Sequence, residues 1–338
     1  MSTDALVEEH DPAGDPIRRR TGAARRVSKC LLWLSVVLWL VFAGWRLFGA
    51  EANWFVVVAM AFAPFMMFAG VVLLLWALWL RAGVAFTGAL LSIMALVAVI
   101  VPRAIGVESP AADGSALTVM TVNLRIGGGD AERVVSLVDR YDVDVLAVQE
   151  LTDESLAALE RERLSARLPH QEYVTAEDAS GSGVFSAVPM TVRDPVPGLF
   201  FMPTVRLALP DEDEVLFTSV HPMAPLGPSS MSAWNEDLRS LPAAERDGPI
   251  RILAGDFNAS LDHRILRDLI DTGYVDAADA TGNGLTGTWR PVGGWSGLVM
   301  PVALDRVLVD DRVAVRSFAI HHVEGSDHRV VVADVRLP

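Results

Sequence analysis

The chain has 338 residues, 51% of them hydrophobic, with a mean hydropathy of +0.36 and a formal net charge of −14. Residues 1–103 hold nine Lys/Arg and six Asp/Glu, which leaves 19 basic and 36 acidic residues in 104–338; that part lacks the basic field that grips long nucleic acid by its phosphates, although a nuclease touching a few phosphates stays open. The single cysteine, Cys30, excludes an intrachain disulfide.

In chain order, residues 1–30 are polar and basic and are expected to form a disordered cytoplasmic tail. Three apolar stretches follow, 31–50, 54–80 and 83–101, each long enough to cross a hydrocarbon core of about 20 helical residues. They make 31–102 a transmembrane region of three helices. Only Arg46, Glu51 and Arg81 interrupt it, all at or near the ends, so neither buried helices of a soluble domain nor a transport path fits. The six positive charges from Arg18 to Lys29 place the N-terminus in the cytoplasm. Three crossings of the cytoplasmic membrane then put everything beyond Val101 outside. A competing reading takes 31–43 as a signal-peptide core with Ala50-Glu51-Ala52 as its cleavage site, and it leads to the same location. Residues 103–116 read as a linker.

Residues 117–338 alternate short β-branched runs with helical periodicity. Strands are expected at 117–124, 143–148, 173–175, 183–187, 205–209, 215–220, 250–254, 303–309, 313–320 and 330–336. Helices are expected behind Asp130 and Asp153, over 230–241, and over 262–271, the last stopped by Gly273. The mixture predicts an α+β fold of two stacked sheets with outer helices, and about 220 residues can bury one core.

Polar residues recur where these strands end: Asn123, Glu150, His221, Asp256 with Asn258, Asp305, and Asp327 with His328. Each has an ordinary reading as a turn, cap, loop or ion-pair residue; Asp305, for instance, could pair with Arg306. Asp256 and Asn258 also sit beside Gly255, which is turn chemistry. Because side chains alternate along a strand, residues two apart face one side, and the set together supplies what metal-assisted phosphoester hydrolysis requires. His321, His322 and His263 are expected to be surface or structural. Arg125 and Gly127-Gly128-Gly129 either line the mouth of a site or form a plain loop.

The series Thr121-Val122-Asn123, Gln149-Glu150, Ser219-Val220-His221, Gly255-Asp256-Phe257-Asn258, Leu304-Asp305-Arg306-Val307 and Ser326-Asp327-His328 resembles the endonuclease/exonuclease/phosphatase superfamily. The resemblance covers residues 117–338 in the family's motif order, and the three-span region lies outside it. Gly181–Pro189 and Thr288-Trp289 look like weaker landmarks. Arg306 departs from the pattern, since many members have His or Tyr after the Asp. The resemblance implies a four-layer α/β/β/α, DNase I-like sandwich with the site where the sheets meet. It also implies Glu150 as the main metal ligand, helped by Asn123 and Asp327. All-oxygen ligation suits Mg²⁺ or Mn²⁺. Asp256 would orient or deprotonate the attacking water, and Asn258 would hold that water or a phosphate oxygen. His328, positioned by Asp305, would donate to a non-bridging oxygen. His221 would stabilise the phosphate or protonate the leaving oxygen.

The expectation is a membrane-anchored, outward-facing, metal-dependent phosphoesterase whose partners are the lipid bilayer and a phosphoester (lipid, small molecule or nucleic acid). No stable nucleic-acid complex and no protein partner are inferred. The alternatives are an extracytoplasmic nuclease and a catalytically inactive binding domain.

Overall fold

The computed structural model describes residues 16–49, 51–107, 109–209, 214–292 and 299–338. They divide into two units: Met1–Gly44 with Met67–Leu96, and Trp45–Met66 with Val97–Pro338.

The first unit is built from α1 (Pro16–Phe48), α3 (Ala63–Trp79) and α4 (Gly83–Ile100). Leu32, Val36, Ala77, Leu80 and Ala85 pack together there. Trp39 Nε1 donates to Ser92 Oγ at 3.0 Å and Trp76 Nε1 to Ser28 Oγ at 3.1 Å. Large apolar side chains such as Leu38, Phe68, Leu75 and Leu91 remain exposed, which suits hydrocarbon surroundings. Ala23–Phe48 and Gly83–Ala104 are each long and apolar enough to cross a membrane.

The middle stretch differs from the expected continuous helix. It forms α2 (Trp54–Ala61) and α3, bent by 81°, and it makes a third span only if the bent pair counts as one. The cause is Pro64, in the first turn of α3: proline has no N–H with which to continue the ladder of α2. The tail also differs. Residues 16–30 belong to α1 rather than being disordered, and residues 1–15 lie outside the described residues.

In the second unit, one sheet has the order β11-β12-β1-β2-β4-β3, from β1 (Ala116–Asn123), β2 (Val145–Gln149), β3 (His170–Val174), β4 (Ser182–Ser186), β11 (Ala314–His322) and β12 (Arg329–Arg336). The other has the order β5-β6-β7-β8-β10-β9, from β5 (Met190–Val196), β6 (Met202–Leu207), β7 (Val215–Val220), β8 (Ile250–Asp256), β9 (Tyr274–Asp276) and β10 (Asp305–Asp310). Pairing is parallel at β1/β2 and β7/β8 and antiparallel elsewhere.

Alternation sorts the side chains into layers. Leu117, Val119, Val145, Ala147, Phe217, Ile252, Ala254 and Val307 meet between the sheets. The opposite parity of the first sheet, including Met120, Val122, Leu146 and Val148, packs under α5 (Ala131–Tyr141), α6 (Asp153–Arg161) and α7 (Leu164–Arg167). On the far side Leu253 and Leu308 pack with Trp234 of α8 (Met231–Ser240), Leu266 of α9 (Arg264–Ile270) and Val57 of α2. The short α10 (Ala277–Ala280) follows β9. The result is the expected four-layer α/β/β/α sandwich.

Several bounds differ from expectation, and β5 and β9 stand where no strand is expected. Thr152, not Asp153, caps α6. The unit carrying the sandwich takes in 45–66 and 97–116 as well as 117–338. Accordingly the expected linker is tied down: Arg103 is buried on Asp262, Val107 N donates to Ala280 O, and Ser109 Oγ donates to Val315 O.

Candidate active site

The inward parity of five strands changes chemistry at one end. Apolar Leu117, Val119, Val145, Ala147, Phe217 and Ile252 give way first to a layer of buried hydroxyls and an amide. Thr121 Oγ1 donates to Gln149 Oε1 at 3.1 Å, Gln149 Nε2 to Ser219 Oγ at 3.0 Å, and Ser219 meets Ser182 at 3.0 Å, which ties the sheets together. Two residues further along the same faces stand Asn123, His221 and Asp256, with Asp305 directly opposite Asp256 in the β8/β10 register.

Asn123 and Asp256 come from different sheets and meet. Asn123 Nδ2 donates to Asp256 Oδ2 at 3.1 Å and to Glu150 Oε1 at 3.0 Å, while its Oδ1 accepts from Arg125 N at 2.8 Å. The amide therefore bridges two carboxylates with its nitrogen. His328 Nδ1 lies 3.0 Å from both oxygens of Asp305, and its Nε2 is 3.6 Å from Asp256 Oδ2. Thr288 Oγ1 fixes Asp305 by accepting its N–H at 2.9 Å. His221 Nε2 is 3.9 Å from Glu150 Oε1, its ring packs on Phe200 at 5.0 Å, and its buried Nδ1 has no partner among the described residues.

The backbone here is unusual. Glu150, Asn258, Arg125 and Ile126 all have φ between +48 and +56, four of the seven positive-φ non-glycine residues described, and such conformations concentrate at functional sites. At Gly255 a Cβ would lie 2.0 Å from Val220 O, so no other residue allows β8 to reach the site beside β7.

The electrostatics follow from burial. Burial and the neighbouring Asp256 raise the pKa of Glu150 against the hydrogen bonds from Asn123 and Ile126 N. Asp256 is raised by burial and by Asp305, with His328 opposing. Burial takes His221 down to about 4, so it is neutral near pH 7. Burial also opposes charge on His328, but Asp305 and Asp256 outweigh it and push its pKa up to about 10.

The donor set fits a divalent cation. Three buried or largely buried carboxylates, Glu150, Asp256 and Asp305, share one imidazolium, and such a surplus of buried negative charge calls for a cation. Asp256, Asp305 and His328 each offer a ligand atom within 4.8 Å of the others. A protonated His328 has no lone pair to give, however, so a cation in this place would draw on carboxylate oxygens rather than on that ring.

These residues line a cavity of about 450 Å³ that includes Glu150, His221, Asp256, Asn258, Asp327 and His328. Of the expected set, Asn123, Glu150, His221, Asp256, Asp305 and His328 come together. Asn258 lies at the edge: its N–H donates to Asp256 Oδ1 at 2.9 Å and its Nδ2 to Pro222 O at 3.1 Å. Asp327 stands apart on the wall, accepting from Trp289 Nε1 at 3.2 Å and lying 3.8 Å from Arg125 Nε. Arg306 does not pair with Asp305. It points to the other face and bonds Asp276 Oδ2 at 2.6 Å. His263 is buried and structural, and His321 meets the Tyr141 hydroxyl at 2.6 Å. Sequence reasoning missed Phe200 and the contribution of α2, whose Val57, Val58 and Ala61 line the cavity together with Phe62. Pro64 was the available signal that α2 is a separate element.

The Endonuclease/Exonuclease/phosphatase family matches residues 120–328. Among solved structures, the chain is similar to humanized D. rerio TDP2 carrying 14 mutations (15% identity, 65% of this chain and 99% of that one, TM-score 0.51). It is also similar to an endonuclease/exonuclease/phosphatase family protein from Bacteroides thetaiotaomicron (16% identity, 67% and 99%, TM-score 0.49). A third is D. rerio TDP2 complexed with a single-strand DNA product (15% identity, 66% and 99%, TM-score 0.49). At such identities the likeness concerns the fold. No curated protein sequence matches.

Proposed function

The chain belongs to the Endonuclease/Exonuclease/phosphatase family, with a DNase I-like α+β fold, and on that premise we propose that it is a membrane-anchored, divalent-metal-dependent phosphoesterase acting outside the cytoplasmic membrane. One observation carries this reading: strand ends from both sheets bring Asn123, Glu150, His221, Asp256, Asp305 and His328 to one place with more carboxylate than positive charge.

Glu150 is assigned as the main metal ligand with Asp327 assisting from the wall, and Asn123 as the amide that keeps Glu150 and Asp256 together. Bound there, Mg²⁺ or Mn²⁺ supplies Lewis-acid polarisation of a phosphoryl oxygen. Asp256 takes the proton of the attacking water as that oxygen forms the new P–O bond. The ester P–O bond breaks, and the leaving oxygen takes up a proton from solvent water, while Asp256 returns the proton it accepted to solvent. His328, charged and held at Nδ1 by Asp305, directs Nε2–H at a non-bridging oxygen where negative charge grows. Neutral His221 serves as a hydrogen-bonding group to the phosphate rather than as a strong acid. One N–H of Asn258 is used on Pro222 O, which leaves the other for the water or phosphate.

For orientation, the basic run Arg18–Lys29 supports a cytoplasmic N-terminus. α1 and α4 end in, and α3 begins in, the unit that carries the catalytic residues, as three crossings require.

The test uses the full chain in nanodiscs, because a cut at 103/104 removes Arg46, α2 and Arg103 from the catalytic unit. Phosphodiesters, phosphomonoesters, DNA and RNA are offered with Mg²⁺ or Mn²⁺ and with chelator. Metal-dependent cleavage of at least one, lost in Asp256→Ala, is expected. A metal-independent activity, or one that Asp256→Ala retains, overturns the reading.

A further inference from the structure

The geometry points to a second part of the binding site, built by residues outside the family domain: an apolar subsite on α2 that takes the hydrocarbon chain of a membrane lipid phosphoester. This inference rests on the phosphoesterase reading of the same cavity.

The cavity is two-sided. On one side stand Glu150, His221, Asp256 and His328; on another stand Val57, Val58, Ala61 and Phe62. At its mouth Ile126 and Leu226 are 52% and 78% exposed although they belong to its lining. Arg125 is the only arginine or lysine among the described lining residues, and it lies 3.8 Å from Asp327. A polyanion would find little there to hold its flanking phosphates. A molecule with one phosphoester and an apolar tail matches both sides, and about 450 Å³ suffices for the head and the first part of the tail.

The wall is held in place by specific contacts. Trp54 Nε1 donates to Pro225 O at 2.8 Å. Ser260 N–H donates to His263 Nδ1 at 2.8 Å, which leaves Nε2–H to donate to Val57 O at 2.8 Å. Arg264 N donates to Glu51, and Val57 is buried in the core under α8 and α9. Val58, Ala61 and Phe62 are half-buried and turned to the cavity, whereas Phe55 on the same helix is exposed and outside its lining. α2 connects α1 to α3, so the wall is chained at both ends to apolar helices.

The experiment measures kcat/KM of the full chain in nanodiscs for 4-nitrophenyl alkyl phosphodiesters from methyl to octyl, each below its micelle-forming concentration. A buried methylene is worth roughly fourfold in binding, so the octyl ester should exceed the methyl ester by at least about tenfold. Val58→Asn and Phe62→Asn should bring that ratio close to one, while Phe55→Ser should leave it as in the wild type. A general folding defect lowers both esters together and does not move the ratio. Equal turnover of methyl and octyl esters that still depends on Asp256 overturns the subsite and leaves the phosphoesterase standing. So does an oligonucleotide preferred over the octyl ester. Absence of Asp256-dependent cleavage of any ester is instead the failure of the phosphoesterase reading itself.

Discussion

The second unit buries two clusters that share an inventory of carboxylate, imidazole and partners from distant segments, yet they are opposite in character. At the first, Asp262 receives Arg103 Nη1 at 3.0 Å and Arg46 Nε, and His263 beside it is bonded at both ring nitrogens. Burial alone would raise the Asp262 carboxyl, but the two guanidiniums outweigh it and hold its pKa below the ordinary range. At the second, Asp256, Asp305 and Glu150 share one imidazolium, the pKa values of Glu150 and Asp256 are raised, and His221 keeps a buried nitrogen unpaired. A buried polar cluster that satisfies its own charges joins parts of a fold. One that leaves charge and hydrogen-bonding capacity over is set up for something that must arrive. His263 and His328 make the point within one residue type: burial drives His263 down, while two carboxylates push His328 up to about 10.

The contrast is broken most directly by exchanging the consequences. His328→Ala removes a preorganised donor and should lower kcat/KM by about 10²–10³; because it also takes the imidazolium from between Asp305 and Asp256, some loss of thermal stability accompanies it. Near-wild-type turnover in the folded variant would place His328 with the structural cluster. Asp262→Ala does the reverse. It leaves two buried guanidiniums without their carboxylate and should cost about 3–5 kcal/mol in chemical denaturation, with early proteolysis around residues 51–62. An unaltered denaturation curve would show that the clamp holds nothing.

Acid offers a gentler probe of the same side. His263 accepts the Ser260 N–H at Nδ1, so protonation there breaks that bond; Glu51 and Asp262 favour the charged form, while burial and Arg267 disfavour it. Its pKa in the folded chain lies below the ordinary 6.5, so its contribution is complete above about pH 6.5 and fades as the pH falls through the folded value. The unfolding midpoint should therefore drop between pH 7.5 and 5.5, and His263→Gln should make that fall shallower without abolishing it, because buried His221, lowered to about 4, loses stability over the same range. The exposed Asp139–Arg167 pair sets the floor of the comparison. Arg167→Ala should change stability by no more than about 1 kcal/mol, whatever its hydrogen-bond geometry. A larger cost measured by denaturation would show that exposure is not what separates these pairs from the buried ones.

Local pattern was enough to determine much of this protein. Period-2 alternation placed the core strands, and the polar ends of the same faces named Asn123, His221, Asp256 and Asp305, because strand parity fixes which side chains share a side; Glu150 and His328 have the opposite parity and lie just beyond the ends of β2 and β12, so the motif series rather than alternation pointed to them. Hydropathy found the apolar helices, since crossing hydrocarbon is a matter of length and composition. Tertiary structure alone decided the rest. It turned the amide nitrogen of Asn123 toward two carboxylates, sent Arg306 to Asp276, and moved Asp327 to the wall. Above all, it bent residues 54–61 away from the helix that follows and made them a wall of the candidate site's cavity. That outcome rests on contacts such as His263 with Val57 and Arg46 with Asp262, between residues more than 200 positions apart. A hydropathy window sees an apolar helix in either case; whether its apolar face meets lipid or protein depends on partners that only the folded chain brings to it.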